Sequence, residues 1–212
     1  MTSLIILLGI LSPLLLGAMS PGPSFVLVSR LAVTGSRLSG IGAALGMGAG
    51  GAIFASLALF GLIALLQQVE WLFLTLKIVG GVYLVYLGIR IWRSAAEPIE
   101  LTGNGSGSAS RSSVSITKSF WLGLTTQIAN PKTAIVYASI FAALLPADPD
   151  TALLILLPPA IFLVEAGWYT IVAVIFSAPV PQRAYIRSKG IFDRIAGAVL
   201  GGLGIRLIFE KT

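Results

Sequence analysis

Six stretches of this chain, residues 3–28, 40–66, 71–92, 119–145, 152–176 and 191–209, run almost without charge. Each is near or above the roughly 20 residues that a helix needs to cross a hydrocarbon core about 30 Å thick. No other feature limits the fold as strongly. A soluble domain of this size would have to leave much of that apolar surface in water. An open sheet has unpaired edges that lipid cannot satisfy, and a barrel would show alternating strands of about ten residues. Continuous apolar runs fit helices only, so the expected class is an all-α membrane protein with six transmembrane helices.

Charge placement then orients the spans. The chain has 14 Lys+Arg against 8 Asp+Glu, a formal net charge of +6, and most of the positive charge falls between the apolar runs. Arg30 and Arg37 follow the first stretch, Arg90, Arg93, Arg111 and Lys118 surround the third connection, and Arg183, Arg187, Lys189 and Arg194 the fifth. The connections near 67–70 and 146–150 have no basic residue, and the latter holds Asp148 and Asp150. The positive-inside bias therefore puts the odd connections in the cytoplasm and both termini outside. Arg206 and Lys211 pull against an outside C-terminus, and five spans with one re-entrant segment remain open. No basic domain is left over to bind nucleic acid. The first stretch lacks a positive leader and is broken by prolines, so it reads as a span rather than a cleaved signal peptide.

The chain contains no Cys and no His. Zinc-dependent intramembrane proteolysis, His-ligated haem and serine–histidine catalysis all require one or the other. An enzyme, a metal centre and a cofactor are accordingly not expected. Soft ligands for metal export are missing as well.

Residues 102–115 are rich in Gly and Ser and read as a flexible tether between two halves. The expected organisation is a first three-helix repeat over 1–93, a cytoplasmic linker over 94–118 and a second repeat over 119–212. Lys77-Ile78-Val79-Gly80-Gly81 lines up with Arg194-Ile195-Ala196-Gly197-Ala198, and Leu87-Gly88-Ile89-Arg90 with Leu203-Gly204-Ile205-Arg206. Ser20-Pro21-Gly22-Pro23 falls on Ala129-Asn130-Pro131-Lys132. Three spans per half is an odd number, so a duplicated half must insert upside down. Inverted repeats with interrupted helices at matching places are a recurring transporter plan, and the interruptions point to the substrate.

Those interruptions carry the candidate chemistry. Pro21 and Pro23 lack amide donors and Gly22 favours non-helical angles, so the first helix breaks and carbonyls before the break lose their partners. Such backbone is tolerated at membrane depth only inside protein or along a water-filled cavity. Ser20, Pro21, Gly22, Pro23 and Ser24 are therefore candidates to hold a zwitterion, with amides for its carboxylate and freed carbonyls for its ammonium. A packing kink is the alternative. Asn130, Pro131 and Lys132 form a second break, and Lys132 sets a cation deep in its span, where a charge usually has a partner and a purpose.

Glu165 is the carboxylate lying well inside a span. It suits a proton carrier for coupling, or it pairs permanently with Lys132 or Lys77. Trp168 and Tyr169 follow it, as path-lining or packing residues. Gly42, Gly46 and Gly50 form a small-residue stripe of the kind that lets helices approach closely, and Gly197 and Gly201 do the same.

With these motifs in place the chain resembles the LysE/RhtB type amino-acid exporters of bacterial inner membranes. The resemblance rests on Ser20-Pro21-Gly22-Pro23, the Gly-rich second stretch from Gly40 to Gly51, Tyr86-Leu87-Gly88-Ile89-Arg90, and Asn130-Pro131-Lys132. It implies efflux of amino acids or close derivatives driven by the proton gradient, and a transport role for both proline motifs. Exporters of basic amino acids in that family can carry an acidic residue in the second span. Residues 40–66 have none, which favours a neutral substrate. The expected function is thus secondary export of a neutral amino acid by proton antiport, from a multi-pass inner-membrane protein with substrate, protons and lipid as partners. A channel, a carrier for another solute or ion, and a homo-oligomer stay open.

Overall fold

The structure, a computed structural model, describes residues 2–34, 36–68, 70–96, 115–146 and 149–209. Among the described residues it is all-helical, with eight helices and no strand. In order these are α1 (Thr2–Met19), α2 (Pro23–Thr34), α3 (Arg37–Gln68), α4 (Glu70–Ser94), α5 (Ile116–Ile128), α6 (Pro131–Leu144), α7 (Thr151–Phe176) and α8 (Pro179–Phe209). Most of the Gly/Ser tether, 102–114, and Asp148 lie outside the described residues.

Both proline motifs interrupt helices. Between α1 and α2 the chain bends by 59°, and Pro23 opens α2 where its missing N–H costs nothing. Between α5 and α6, Asn130 caps α6 by accepting from Lys132 N at 3.1 Å, with Pro131 in the first turn. Residues Arg37–Gly61 of α3 and Thr151–Phe176 are each long and apolar enough to cross a membrane, and the bent pair Leu4–Met19 and Pro23–Val33 passes as one span. The α8 helix carries Asp193, Arg194 and Arg206 within its apolar part and is not among the helices that pass this test.

One expectation needs correction. The basic residues 183–194 do not form a loop, because α8 starts at Pro179 and carries them as helix. Hydropathy marks only the lipid-facing stretch of a helix, whereas Arg and Lys sustain a helix well beyond it.

Glycines set the helix spacing. A Cβ on Gly46 would strike the carbonyl of Phe120 and come 2.7 Å from Leu124 N, so α3 lies directly on the backbone of α5. Gly48 faces Phe162 and Ala166 of α7 in the same way. Gly88 of α4 and Gly197 of α8 face each other, a Cβ on either coming 2.6 Å from the other's carbonyl, and Gly81 and Gly204 repeat that arrangement. These pairings make α3–α7 and α4–α8 antiparallel and α3–α5 parallel. Such approach maximises van der Waals contact, the main attraction between helices where lipid replaces water.

The polarity pattern is that of a lipid-embedded chain. Leu57, Phe60, Ile155 and Leu163 are all more than 60% exposed, while Ser24, Gln127, Asn130, Glu165 and Asp193 are buried. Two apolar clusters fill the interior. One is built around Leu14, Leu59, Tyr137 and Phe141, the other around Phe25, Met47, Tyr169 and Phe176. Ser24, Gln127, Asn130 and Glu165 line a cavity shared by residues of both clusters.

Candidate functional site

The break after α1 frees its last carbonyls, and each finds a side-chain donor from elsewhere in the fold. Lys132 Nζ donates to Gly17 O and Ser20 O, both at 3.3 Å. Trp168 Nε1 donates to Ala18 O and the Tyr185 hydroxyl to Met19 O, each at 3.2 Å. The expectation that these carbonyls stand open for a substrate's ammonium is thereby corrected. The protein's own cation and two aromatic donors occupy them, because an unsatisfied carbonyl in the interior costs more than the ordering of a side chain.

Lys132 uses two of its three ammonium hydrogens in this way, and among the described residues the third has no protein acceptor. The side chain crosses beneath Gly22, where a Cβ would sit 3.4 Å from Nζ.

Two cavities meet at this point. The outer one, about 710 Å³, is lined by residues of both breaks together with Arg90, Ser94 and Lys189. That volume is in the range that holds small ligands. Arg90 and Lys132 stand in its wall with no carboxylate among the lining residues, while the charge of Lys189 is met by Asp193, so the cavity favours a ligand that presents negative charge. The inner cavity, about 30 Å³, runs from Ser20, Gly22, Asn130 and Lys132 to Tyr137, Glu165 and Tyr169. It has room for a water or two and none for an amino acid.

Glu165, 3% exposed, ends the inner cavity. Its Oε1 accepts from the Tyr137 hydroxyl at 2.8 Å and its Oε2 from Gln127 Nε2 at 2.6 Å. The ion pair with Lys132 is not formed, since that ammonium is committed to α1, and the side chain of Lys77 lies outside the described residues. Neutral donors solvate the carboxylate instead, and Gly51 leaves room for it, because a Cβ there would lie 2.6 Å from Oε2.

The structure thus brings Ser20, Gly22, Ser24, Asn130, Lys132 and Glu165 to one inner cavity, with Pro21, Pro23 and Pro131 on the outer one. Tyr169 lines the inner cavity and Trp168 caps α1. Gln127 and Tyr137 escaped the sequence reading, as did Lys189 and Asp193 as a pair. Lys189 Nζ lies 2.8 Å from Asp193 Oδ2 and donates to Ser94 O, the end of α4, at 2.6 Å. The i, i+4 spacing of Lys189 and Asp193 is a signal that could have been read.

Among known proteins, the threonine efflux protein of Escherichia coli K12 is 32% identical to this chain over 202 residues, covering 91% of the chain and 92% of that protein. The same figures hold for the threonine efflux protein of Salmonella typhi. An uncharacterized membrane protein of Escherichia coli K12, YahN, is 31% identical over 191 residues, covering 90% of the chain and 83% of that protein. No solved structure matches. The LysE type translocator family matches residues 15–211. With nearly the whole chain covered, this protein belongs to the LysE type translocators, a transporter family and not an enzyme family.

Proposed function

We propose that the chain exports a neutral amino acid of threonine's kind from the cytoplasm in exchange for protons, as a multi-pass protein of a bacterial inner membrane. The observation that carries this reading is the meeting of both helix breaks at one boundary. There a basic vestibule of about 710 Å³ narrows, past Lys132 and Asn130, to a small cavity closed by Glu165. The substrate's carboxylate would take the remaining donor of Lys132 beside the N-termini of α2 and α6, where helix dipoles favour an anion. Arg90 and Lys132 in that wall repel a second positive charge, which favours neutral substrates over lysine or arginine. Glu165 would take the proton. It lies too deep for the substrate to reach in this conformation.

The spans follow the same reading. The bent α1–α2 pair, α3, α4, the α5–α6 pair, α7 and α8 supply six, as inverted repeats 1–93 and 119–212 joined by the cytoplasmic linker 94–118. Two contacts favour that symmetry. Under the alignment that places Gly88 on Gly204 and Gly80 on Gly197, the contacts Gly88–Gly197 and Gly81–Gly204 exchange to within one residue, close to what a two-fold relation requires. With the positive-inside orientation the vestibule, walled by Arg90 and Lys189, opens to the cytoplasm.

The test is to overexpress the chain in a bacterial host fed a threonine-containing dipeptide and profile extracellular amino acids by mass spectrometry. Threonine or another neutral amino acid should accumulate outside faster than with empty vector. A profile unchanged for every neutral amino acid, with the protein present in the membrane, would overturn the reading.

A further inference from the structure

We infer that an anionic phospholipid binds on the lipid-facing side of α4, with its phosphate held between Arg90 and Arg93. The inference rests on the reading of α4 as a span, and it is independent of what the protein exports.

A cavity of about 300 Å³ lies against the end of α4, lined by Tyr86, Ile89, Arg90, Arg93 and Ser94. That is the lower end of the range that holds small ligands, and it suits a headgroup. The two arginines are three residues apart, so they are neighbours on one helix face. Among the described residues neither guanidinium has a hydrogen bond or an ion pair, and no carboxylate lines the cavity. Like charges this close repel each other, and beside hydrocarbon each is costly without a partner. An anion between them relieves both costs. Each guanidinium carries five N–H donors in a planar fork that matches phosphate oxygens in pairs.

The rest of the face says what carries the phosphate. Val79, Val82, Tyr86 and Ile89 recur at spacings of three and four along one side of α4, and all four are exposed. From Val79 to Ile89 the helix rises about 15 Å, half of a hydrocarbon core about 30 Å thick. An acyl chain laid along this stripe therefore runs from the level of the arginines to the middle of the bilayer. Trp92, also exposed, stands at the arginines' level, where indole rings favour the headgroup region. The orientation proposed above puts that level at the cytoplasmic surface, where anionic lipids attract basic residues. Headgroups tethered there reach the cavity at high local concentration, whereas a soluble phosphate must arrive from bulk.

One feature of the fold opposes an anion here. The last carbonyls of α4 carry partial negative charge, although that field is confined to the last turn. Lys189 Nζ covers the carbonyl of Ser94 at 2.6 Å, and two full positive charges outweigh what remains. The Ser94 hydroxyl gives its hydrogen to Ile91 O at 3.1 Å, so the arginines are the donors of the site. Arg90 and Ser94 also line the vestibule, and the two cavities abut there. A bound headgroup thereby orders a side chain of the vestibule wall.

The experiment uses purified full-length protein in detergent micelles carrying phosphatidylglycerol and phosphatidylcholine in equal amounts, with native mass spectrometry counting the lipids retained. The unaltered protein should retain phosphatidylglycerol over phosphatidylcholine by about tenfold, and the double variant Arg90→Gln, Arg93→Gln should bring that ratio to about one. Arg93→Gln alone is the second variant if melting curves show that the double variant fails to fold, and it should lose most of the preference. The control Arg183→Gln, Arg187→Gln removes two exposed arginines of α8 outside the cavity and should keep the ratio. No preference in the unaltered protein, or a preference that survives the loss of both Arg90 and Arg93, overturns the site. Equal loss in the α8 control also overturns it, because the attraction would then be diffuse. Phosphatidylglycerol should raise the melting temperature of the unaltered protein, and inorganic phosphate at the same concentration should not. Equal stabilisation by inorganic phosphate would assign the cavity to a soluble anion and overturn the lipid.

Discussion

Replacing Gly46 with alanine tests the packing that holds the site together. The added Cβ meets the Phe120 carbonyl and lies 2.7 Å from Leu124 N, both backbone atoms of α5. No side chain can swing aside, so α3 and α5 must move apart along their contact before an alanine fits. Overpacking of this kind costs about 1–3 kcal/mol, and a backbone obstacle on two atoms argues for the upper end. Alanine in a helix returns about 0.5–1 kcal/mol relative to glycine. The net loss is about 2 kcal/mol, or roughly 4–8 °C in melting temperature for a chain of this size. Gly167→Ala is the control, since nothing lies within 4 Å of its Cβ, and it should melt at or slightly above the unaltered protein. The assay is thermal unfolding in detergent, read by size-exclusion chromatography. A Gly46→Ala protein as stable as Gly167→Ala would refute the close α3–α5 approach, and with it the placement of Gln127 against Glu165.

Other predictions follow from the same contacts. Trp168→Phe removes one cap from α1 and should cost about 1 kcal/mol, a drop of roughly 2–4 °C in the same melting assay. Lys189→Met leaves the buried Asp193 carboxylate unpaired and should cost about 3–5 kcal/mol, while adding Asp193→Asn should restore much of the lost melting temperature. The chain has no cysteine, so Ser115→Cys should resist a membrane-impermeant thiol reagent in intact cells and Thr151→Cys should react. The opposite labelling would reverse the orientation.

The breaks were legible because their signals are local. Proline removes a donor and glycine loosens the backbone wherever they stand, so Ser20–Ser24 and Asn130–Lys132 declared themselves without any knowledge of the fold. The stripe of Gly42, Gly46 and Gly50 was legible for a similar reason, since its period of four puts the three on one face. What the residues meet was not legible. Gln127 sits in an ordinary polar stretch, and only the arrival of Ser24 and Glu165 from two other helices gives it a role. The fate of the α1 carbonyls was missed for the same reason. A break says that acceptors are freed, and it cannot say that Lys132, Trp168 and Tyr185 come from α6, α7 and α8 to fill them. For Glu165 the sequence offered a proton carrier or an ion pair with Lys132 or Lys77, and the neutral partners Tyr137 and Gln127 were not legible because amide and phenol donors leave no charge signal.

The proposed mechanism turns on Glu165 carrying the proton that drives export. Its most direct test is threonine accumulation against a gradient in proteoliposomes, driven by an imposed pH difference, with Glu165→Gln beside the unaltered protein. Glutamine keeps the shape and can still hydrogen-bond Tyr137 and Gln127, but it cannot take up and release a proton. The unaltered protein should concentrate threonine several-fold and lose the gradient when a proton ionophore is added. Glu165→Gln should equilibrate threonine by exchange and concentrate none. Uphill accumulation by Glu165→Gln at the normal rate would rule out Glu165 as the proton carrier.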